Sequence, residues 1–485
     1  MANNKSLSKG GMYYLIYNVL NLAFPFVNGI YVARVLLPAS IGAVAAAQNF
    51  AQYFIILAFL GIPTYGLREI AKARNNQEER SKVYSELFII NLISTITFLT
   101  VYTVLILIIP AYRNELALYL IAGISVALNA INISWLYEGM EEFKFISMRN
   151  LAFKTVAFLL LIFLVRDESD IYIYAFISVI SYAGNYIVNM IYSPRYVKLT
   201  TKGLNLRRHM KSILYLVAVN LAIELYSLMD VTMMNFMCGK DSIAFYKYGY
   251  QIEKMLLQVV NTFTIVLIPR ISFYYKEKKI DEFNRMISKA LKLIIITSIP
   301  MMVGIYFTSD FLMVKMYGAQ YVTSALILKM FSSLLLISPV GYLLGSRVLL
   351  VTGHENLMIV SVGIGALVNL IGNALLIPRY AEFGATVASI ISEIVVMLVY
   401  VNLGKKHFKL EGIPQTAIKV LFSAVLMGVY LFACSLLPVN PWIVLMLQVA
   451  GAVAIYFIVL IVAKENVVVE YAQIAARKGK ALIRR

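Results

Sequence analysis

Long apolar runs recur along the whole chain, and they constrain its fold more than any other feature. Each run is about 20 residues long, which is the length that a helix needs to cross a bilayer. Strands of a membrane barrel would be shorter and would alternate apolar and polar residues. The sequence therefore predicts an all-α integral membrane protein with about fourteen transmembrane helices, near residues 11–33, 38–62, 83–109, 115–135, 148–165, 170–192, 212–234, 243–268, 288–309, 323–346, 356–378, 382–403, 415–437 and 440–463.

The composition supports a membrane location. Hydrophobic residues make up 61% of the 485 residues and charged residues 14%, whereas soluble domains are about half apolar and about a quarter charged. The first apolar run is too long for the core of a cleaved signal peptide, so we expect it to be the first spanning helix. The two cysteines lie far apart and the three histidines are scattered, so we predict no disulfide, metal site or cofactor.

The distribution of basic residues predicts the orientation. The formal net charge is +18, which would otherwise suggest a nucleic-acid partner. However, 31 of the 43 Lys and Arg residues fall on the side of the amino terminus and seven fall in the alternate loops. This asymmetry is typical of cytoplasmic loops. We therefore predict a multi-pass protein of the cytoplasmic membrane with both termini in the cytoplasm and no nucleic-acid partner, and a basic tail that contacts anionic lipid headgroups.

The loops argue against an enzyme. The loops on the outer side are short, and a membrane glycosyltransferase or polymerase would need a sizeable loop to hold its catalytic residues. The longest loops are basic connectors without a phosphate-binding glycine motif, so no ATPase is encoded in the chain. We therefore predict a transporter and not an enzyme.

A weak internal duplication divides the chain at a long basic loop. When the sequence is shifted by about 206 residues, Pro63 meets Pro269 and Gln52 meets Gln258. This pattern predicts two six-helix lobes related as parallel repeats, with the substrate site between them. The predicted regions are a cytoplasmic amino terminus (1–10), an N-lobe (11–192), a linker (193–211), a C-lobe (212–403), two extra helices (415–463) and a basic cytoplasmic tail (464–485).

Polar residues form stripes on four of the predicted helices. Polar groups at bilayer depth are costly, so they usually face the bundle interior or a wet cavity. The spacing of 4, 3, 4 and 3 residues in the eighth helix places one set on a single helical face. The predicted substrate-binding residues of the cavity are Lys254, Arg34, Lys247, Gln251, Gln258, Asn18, Asn21 and Gln52, and the candidates for ion coupling are Glu224 and Asp230.

Each charged candidate has a structural alternative. Lys254 either attracts an anionic substrate or pairs with Glu253 or Glu224 and holds helices together. Lys247 either contributes to the cavity or extends to the membrane surface. Glu224 and Asp230 either form structural pairs or bind a coupling ion or proton.

Two further polar sets lie in the last third of the chain. Asn369 and Asn373 are one helical turn apart, and we expect them to form interhelical hydrogen bonds. Glu393 lies deep in the twelfth predicted helix and is unexplained unless it pairs or titrates.

Several motifs resemble the Wzx-type polysaccharide transporters of the multidrug/oligosaccharidyl-lipid/polysaccharide exporter superfamily. The first helix ends in Ala-Arg-Val-Leu at 33–36, followed by Pro38 and Gly42, although Leu37 stands where the family usually has glycine. The segment WLYEGMEEFKFISMRN at 135–150, Arg208-His209 and Ile-Pro-Arg at 268–270 also match. The strongest match is VNLIGNALLIPRYAEFGATVASIISE at 368–393. The resemblance extends through nearly the whole chain.

The resemblance implies a fold and a cargo. The fold is a V-shaped bundle like that of multidrug and toxic compound extrusion proteins, which opens alternately to each face. The cargo is a polyprenyl-diphosphate-linked oligosaccharide, flipped to the outer leaflet for cell-surface polysaccharide synthesis. The implied partners are this lipid, membrane lipids and glycan polymerases or glycosyltransferases of the same pathway, and a monomer is sufficient. Alternatives on the same fold are a drug/cation antiporter and a flippase for another lipid-linked precursor.

Overall fold

The computed structural model describes residues 21, 23–265 and 267–483 of the chain. Every regular element among these residues is a helix, which confirms the predicted all-α class. Ten segments of the described chain are long and apolar enough to cross a membrane, and Leu116–Ile131 is a shorter apolar helix. The chain is therefore a multi-pass helical protein, whereas the count of fourteen spans stays a prediction.

The chain divides into two compact units, the first ending at Ala244 and the second beginning at Phe245. The helix Arg207–Met237 packs against Pro38–Phe59 and thus belongs to the first unit by its contacts. The sequence assigned residues 212–234 of this helix to the predicted C-lobe (212–403). That assignment rests on an internal sequence repeat, whereas the two units are defined by contacts, so the lobe boundaries stay a prediction.

The first unit is a bundle of helices joined by turns and, before Arg207–Met237, by the longer basic linker. Its described helices are 23–35, Pro38–Phe59, Ile62–Lys72, Gln77–Ile108, Pro110–Arg113, Leu116–Leu128, Ser134–Gly139, Phe143–Leu164, Ile171–Ala183, Asn185–Tyr192 and Arg207–Met237. Among the described residues, one apolar core of this unit is rich in aromatic rings: the Phe50 ring contacts the rings of Tyr102, Tyr112 and Tyr119.

The second unit has its core around the helix Ile280–Tyr317. The helix Ile413–Ser435 packs along it, and Tyr456 of Pro441–Val462 donates a hydrogen bond from its hydroxyl to the Ile296 carbonyl at 2.8 Å. Its helices are Lys240–Ile265 (which begins in the first unit), Ile268–Lys276, Ile280–Tyr317, Val322–Phe331, Leu334–Gly341, Val348–Val351, Glu355–Gly404, Ile413–Ser435, Pro441–Val462 and Asn466–Ile483.

The long helix Glu355–Gly404 is broken into two at Ala381, which has a φ of 47°. A positive φ is unfavourable for a residue with a Cβ atom, so it marks a real interruption of the helix. Pro378 lies three residues earlier and has no backbone N–H to donate. The break falls between the predicted helices 356–378 and 382–403.

The predicted helix 323–346 is irregular in the structure. It consists of Val322–Phe331, Leu334–Gly341 and a π-helical turn, Tyr342–Arg347. The Ser332 and Ser333 hydroxyls donate to backbone carbonyls of the preceding turn, which competes with regular helix bonding. The interruption was not predicted, because apolar periodicity does not report such local competition.

Large apolar side chains remain exposed on the surfaces of the long helices. On Gln77–Ile108, the side chains of Ile93, Ile96 and Ile108 are all more than half exposed. A soluble protein rarely exposes apolar patches on this scale. Lipid accepts such a surface, because the backbone polar groups are satisfied within each helix.

Gly42 allows a close approach of two segments in the first unit. A Cβ atom at this position would lie 1.8 Å from the Lys240 carbonyl oxygen. We expect Gly42→Ala to destabilise the protein by about 1–3 kcal/mol, because the backbone at Lys240 must move to make room for the added methyl group. Thermal unfolding of the purified protein in detergent measures the change.

The matched control for this prediction is Gly363→Ala. Gly363 lies in the helix Glu355–Gly404, and an added Cβ atom would meet nothing within 4 Å. The substitution should leave stability unchanged or raise it by up to about 1 kcal/mol, because alanine favours a helix. Equal unfolding temperatures for the two variants would contradict the steric role of Gly42.

Candidate functional site

The predicted polar stripe follows one face of the helix Lys240–Ile265. Lys254 and Gln258 are exposed along this face, and Lys247, Gln251 and Asn261 are partly exposed. The opposite side of the helix is buried, with Tyr248 and Val260 in the interior. The spacing of the polar residues therefore corresponds to an open, hydrophilic helical face.

Lys254 carries the positive charge at the centre of this face. Its side chain is 45% exposed, and its Nζ atom lies 4.0 Å from the nearest carboxylate oxygen of Glu253. The Nζ atom also lies 4.8 Å from the centre of the Tyr250 ring, within the range of a cation–π interaction. The distance to Glu253 is too long for a hydrogen bond, so the ammonium group has donors available for another acceptor.

Glu253 is a feature of the site that the stripe pattern did not select. Its side chain is 0% exposed, and neither carboxylate oxygen has a hydrogen-bond donor among the described residues. Glu393 interacts electrostatically with both Glu253 and Lys254, and it accepts a hydrogen bond from the Ser338 hydroxyl at 2.8 Å. The second unit thus contains two carboxylates and one ammonium group close together.

The other predicted residues of this helix have less defined surroundings. The Lys247 Nζ atom lies 5.8 Å from the centre of the Tyr248 ring. The Gln251 side-chain nitrogen is buried and has no acceptor in the part of the chain that the structure describes. Gln251 and Lys254 lie three residues apart and so are neighbours on the helix surface. Gln251 therefore lies beside Lys254, but its side-chain nitrogen is shielded from the open face while the Lys254 ammonium is not.

The predicted site residues of the first two helices are less available. Asn21 accepts a hydrogen bond from the Lys154 ammonium at 2.6 Å, and Gln52 accepts one from the Tyr182 hydroxyl at 3.4 Å. Arg34 lies exposed at the end of the helix 23–35. Asn18 lies outside the described residues. The bond to Lys154 supports a structural role for Asn21, because it satisfies a partly buried amide within the protein.

The two ion-coupling candidates lie on the helix Arg207–Met237. Asp230 is buried and lies near the Tyr53 hydroxyl. Two residues before and two residues after Asp230, the Leu228 carbonyl and the Thr232 hydroxyl accept hydrogen bonds from the Asn49 side chain at 3.2 and 2.9 Å, which attaches this part of the helix to Pro38–Phe59. The side chain of Glu224 lies outside the described part of the chain.

The predicted interhelical bonding of Asn369 and Asn373 is present. Asn373 donates to the Asn369 side-chain oxygen at 3.1 Å, and Asn369 donates to the Ser389 hydroxyl at 3.3 Å. Both asparagines are buried, and Ser389 lies beyond the break at Ala381. This chain of bonds connects the two segments of the broken helix.

A buried ionic network in the first unit was not predicted. The Glu86 side chain is 0% exposed, and it accepts hydrogen bonds from Arg208, from His209 at 2.8 Å and from the Asn205 backbone N–H at 2.6 Å. The other ring nitrogen of His209 lies 2.8 Å from the Tyr65 hydroxyl. We name these five residues the Glu86 network. It attaches the basic linker to the start of Gln77–Ile108.

The histidines are less scattered than the sequence suggested. The rings of His354 and His407 lie 4.7 Å apart, centre to centre. Burial, the neighbouring His354 and Lys406 lower the pKa of His407, because each disfavours the charged imidazolium. No group of three or more metal-ligating side chains forms in the described residues.

Comparisons with known proteins give the family and the fold. A family model described as polysaccharide biosynthesis protein matches residues 7–275. A putative O-antigen transporter of Escherichia coli (strain K12) is 25% identical over 276 residues, which are 56% of this chain and 66% of that relative, just under two thirds of its length. A putative O-antigen transporter of Shigella dysenteriae is 22% identical over 382 residues, which are 78% of this chain and 95% of that relative.

A lipid flippase and a multidrug resistance transporter are among the solved structures with a similar fold. The inward closed conformation of the lipid II flippase MurJ has a TM-score of 0.72 and 16% identity, and the match covers 92% of this chain and 97% of that one. An inward-facing multidrug resistance transporter has a TM-score of 0.61 and 17% identity, over 79% of this chain and 93% of that one. At these identities the likeness establishes the fold.

Proposed function

Because the chain belongs to the polysaccharide biosynthesis protein family, we propose that it flips a polyprenyl-diphosphate-linked oligosaccharide across the cytoplasmic membrane. The family match confirms the resemblance found in the sequence. Both curated relatives are named O-antigen transporters, which supports a saccharide cargo and agrees with the prediction that the chain is not an enzyme.

The observation that carries this proposal is the open polar face of Lys240–Ile265 with Lys254 at its centre. A diphosphate carries negative charge and many acceptor oxygens, and an ammonium group supplies up to three donors. Gln251 and Gln258 on the same face can bind sugar hydroxyls through their amide groups. The polyprenyl tail can remain in the bilayer, which solvates it without help from the protein.

We propose the finer features of transport on the same basis. The mechanism is alternating access through a polar, partly cationic central cavity to which this face contributes, in a V-shaped bundle of two six-helix lobes. Fourteen spans result if the broken helix Glu355–Gly404 counts as two and the helices 23–35, Leu116–Ile131 and Arg207–Met237 count as one each. Both termini lie in the cytoplasm, a monomer is sufficient, and glycosyltransferases or a polymerase handle the cargo on either side.

A second candidate is a drug/cation antiporter or a flippase for another lipid-linked precursor. The fold is shared with multidrug transporters and with a lipid II flippase. A cationic drug would require acidic residues on the binding face, and among the described residues Glu253 and Glu393 are carboxylates that interact with Lys254. Glu253 is fully buried and Glu393 is only partly exposed, however, and the most exposed of the three groups is the lysine. This arrangement favours an anionic cargo.

Proteoliposomes test the proposal. A fluorescent polyprenyl-diphosphate oligosaccharide is added to vesicles with and without the purified protein, and its accessibility to a membrane-impermeant quencher is followed with time. We expect faster exchange between leaflets in the vesicles that contain the protein. Exchange equal to that in empty vesicles, with folded protein and under both proton and sodium gradients, would overturn the saccharide-lipid cargo, and efflux of a cationic drug would then be measured.

A further inference from the structure

Glu253 is buried in a way that an ionised carboxylate does not tolerate. Its side chain is 0% exposed, and within the described chain neither of its carboxylate oxygens accepts a hydrogen bond. Burying a charged group without hydrogen bonds costs several kcal/mol, so such a group either pairs closely or takes up a proton. At 4.0 Å, the Lys254 Nζ atom is near Glu253 but does not donate to it.

The charges around Glu253 come from two helices. On the helix of Glu253 the neighbouring charge is the Lys254 ammonium, which lies close to the Tyr250 ring. On the segment after Ala381 it is Glu393, which is held by the Ser338 hydroxyl and interacts with both Glu253 and Lys254. A second carboxylate nearby disfavours ionisation of the first, because like charges repel more strongly in a medium of low dielectric constant.

We propose that Glu253 is a proton-binding site whose occupancy sets the charge that Lys254 offers to an anionic lipid headgroup. This inference rests on the proposed function and deepens it, because it identifies what couples cargo binding to protons. Glu253 is a positioning residue in this scheme, since Lys254 is the group that would touch the cargo. The sequence candidates for ion coupling, Glu224 and Asp230, lie on another helix.

The proton balance follows from the two states of the pair. When Glu253 is protonated it is neutral, and the Lys254 ammonium over the Tyr250 ring is available to a diphosphate. When the O–H bond of Glu253 breaks and the proton leaves to water, the carboxylate attracts the ammonium, which keeps its own protons, and the two groups form a neutral ion pair. Uptake of one proton and binding of the anion therefore favour each other.

This scheme fixes the direction of the pH dependence. Low pH keeps Glu253 neutral and Lys254 available, so the anion binds tightly. Rising pH ionises Glu253, so the affinity falls by up to about tenfold per pH unit, as expected for one linked proton. The charge of Glu393 helps to hold the proton on Glu253, so Glu393→Gln should shift the loss of affinity to lower pH.

The first test needs no substrate. Infrared difference spectra of the full-length protein in membranes, recorded across a pH titration, report protonated carboxyl groups through their carbonyl band. We expect such a band at neutral pH in the wild type, and we expect Glu253→Gln to remove it. The matched control is Glu470→Gln, the same chemical change at an exposed ion pair with Lys289, which should leave the band in place.

A band that is unchanged in Glu253→Gln overturns the proton site. If this variant does not fold, Glu253→Asp keeps the carboxyl group and should shift the frequency of the band. A band of unchanged frequency in Glu253→Asp would likewise overturn the proton site. This test is independent of whether the protein transports a saccharide-lipid.

The second test measures binding of a defined anion, farnesyl diphosphoglucose, to the detergent-solubilised protein between pH 5 and 9, by titration calorimetry. Each phosphate of this diester keeps one negative charge across this range, so the ligand itself does not titrate. We expect the wild type to lose affinity as the pH rises, and Glu253→Gln to bind tightly at every pH because it mimics the neutral acid. An unchanged pH dependence in Glu253→Gln overturns the coupling.

The two tests separate the inference from the proposed function. If the carboxyl band depends on Glu253 but the probe binds at no pH, the proton site is supported, and both its link to the cargo and the proposed cargo are overturned. If the probe binds but the band and the pH dependence are insensitive to Glu253→Gln, the proposed function is supported and the inference is overturned.

Discussion

Replacing Lys254 by alanine should slow the flipping of a polyprenyl-diphosphate oligosaccharide by about tenfold to 100-fold. Hydrogen bonds that involve a charged group contribute about 1.5–3 kcal/mol, and each 1.4 kcal/mol corresponds to about a tenfold change. Lys254→Arg should have a smaller effect, because it keeps the charge and changes only the shape of the donor group. Initial rates in proteoliposomes, normalised to the amount of folded protein, measure both variants.

The chain offers a matched control for Lys254. Lys329 also lies in an apolar helix, but its ammonium group pairs with Asp310 at 2.5 Å and lies 5.5 Å from the centre of the Tyr306 ring. Lys329→Ala should therefore leave the flipping rate near that of the wild type. Because the Lys254 side chain is 45% exposed, its removal should cost little stability. Equal rates for the wild type and Lys254→Ala would exclude the role given to this residue.

The open face around Lys254 was predictable because helical periodicity alone determines it. Residues at intervals of three and four positions share one side of any helix, whatever packs around that helix. Sequence spacing does not report the partner of a residue, however. Asn21 belongs to a predicted polar stripe, yet it is bonded to Lys154, which lies 133 residues away in the chain. A contact of that separation depends on tertiary packing.

The surroundings of Glu253 were also not predictable from sequence spacing. It is adjacent to Lys254 in sequence and therefore points to a different side of the helix. Its environment depends on Glu393 and on the irregular segment that contains Ser338, and these come from two later helices. The sequence indicated that Glu393 is costly in a membrane. It did not indicate that Glu393 interacts with Glu253.

The helix breaks were predictable only where the sequence contains a strong signal. Pro378, followed by charged and polar residues, marked the boundary near Ala381. The π-helical turn Tyr342–Arg347 has no comparable signal in the sequence, and within it Gly345 packs closely against Tyr400 of the following helix. Close packing at glycine lets the two backbones approach, and this requirement is not visible in an apolar run.

Replacing Glu86 by alanine should have the largest effect on stability of any change considered. The carboxylate accepts hydrogen bonds from Arg208, His209 and the backbone of Asn205. Its removal leaves the buried His209 imidazole without its carboxylate acceptor, and it leaves the partly buried Arg208 guanidinium with only the exposed Glu79 as a carboxylate partner. Breaking a buried pair by removing one partner typically costs about 3–5 kcal/mol. We expect a lower unfolding temperature in detergent and faster cleavage by trypsin in the linker, at the exposed Lys198 and Lys202.

Glu79→Ala is the control, because Glu79 binds the same Arg208 from an exposed position at 3.2 Å. A solvent-exposed pair contributes about 0–1 kcal/mol, so this variant should unfold and be cleaved almost as the wild type does. If both variants lost the same stability, the loss would come from removing a carboxylate partner of Arg208, and the burial of Glu86 would add nothing to it. A large loss of stability confined to Glu86→Ala would instead show that the Glu86 network holds the basic linker to Gln77–Ile108. The two variants remove acceptors of the same Arg208, and these acceptors differ in that Glu86 is buried and Glu79 is exposed.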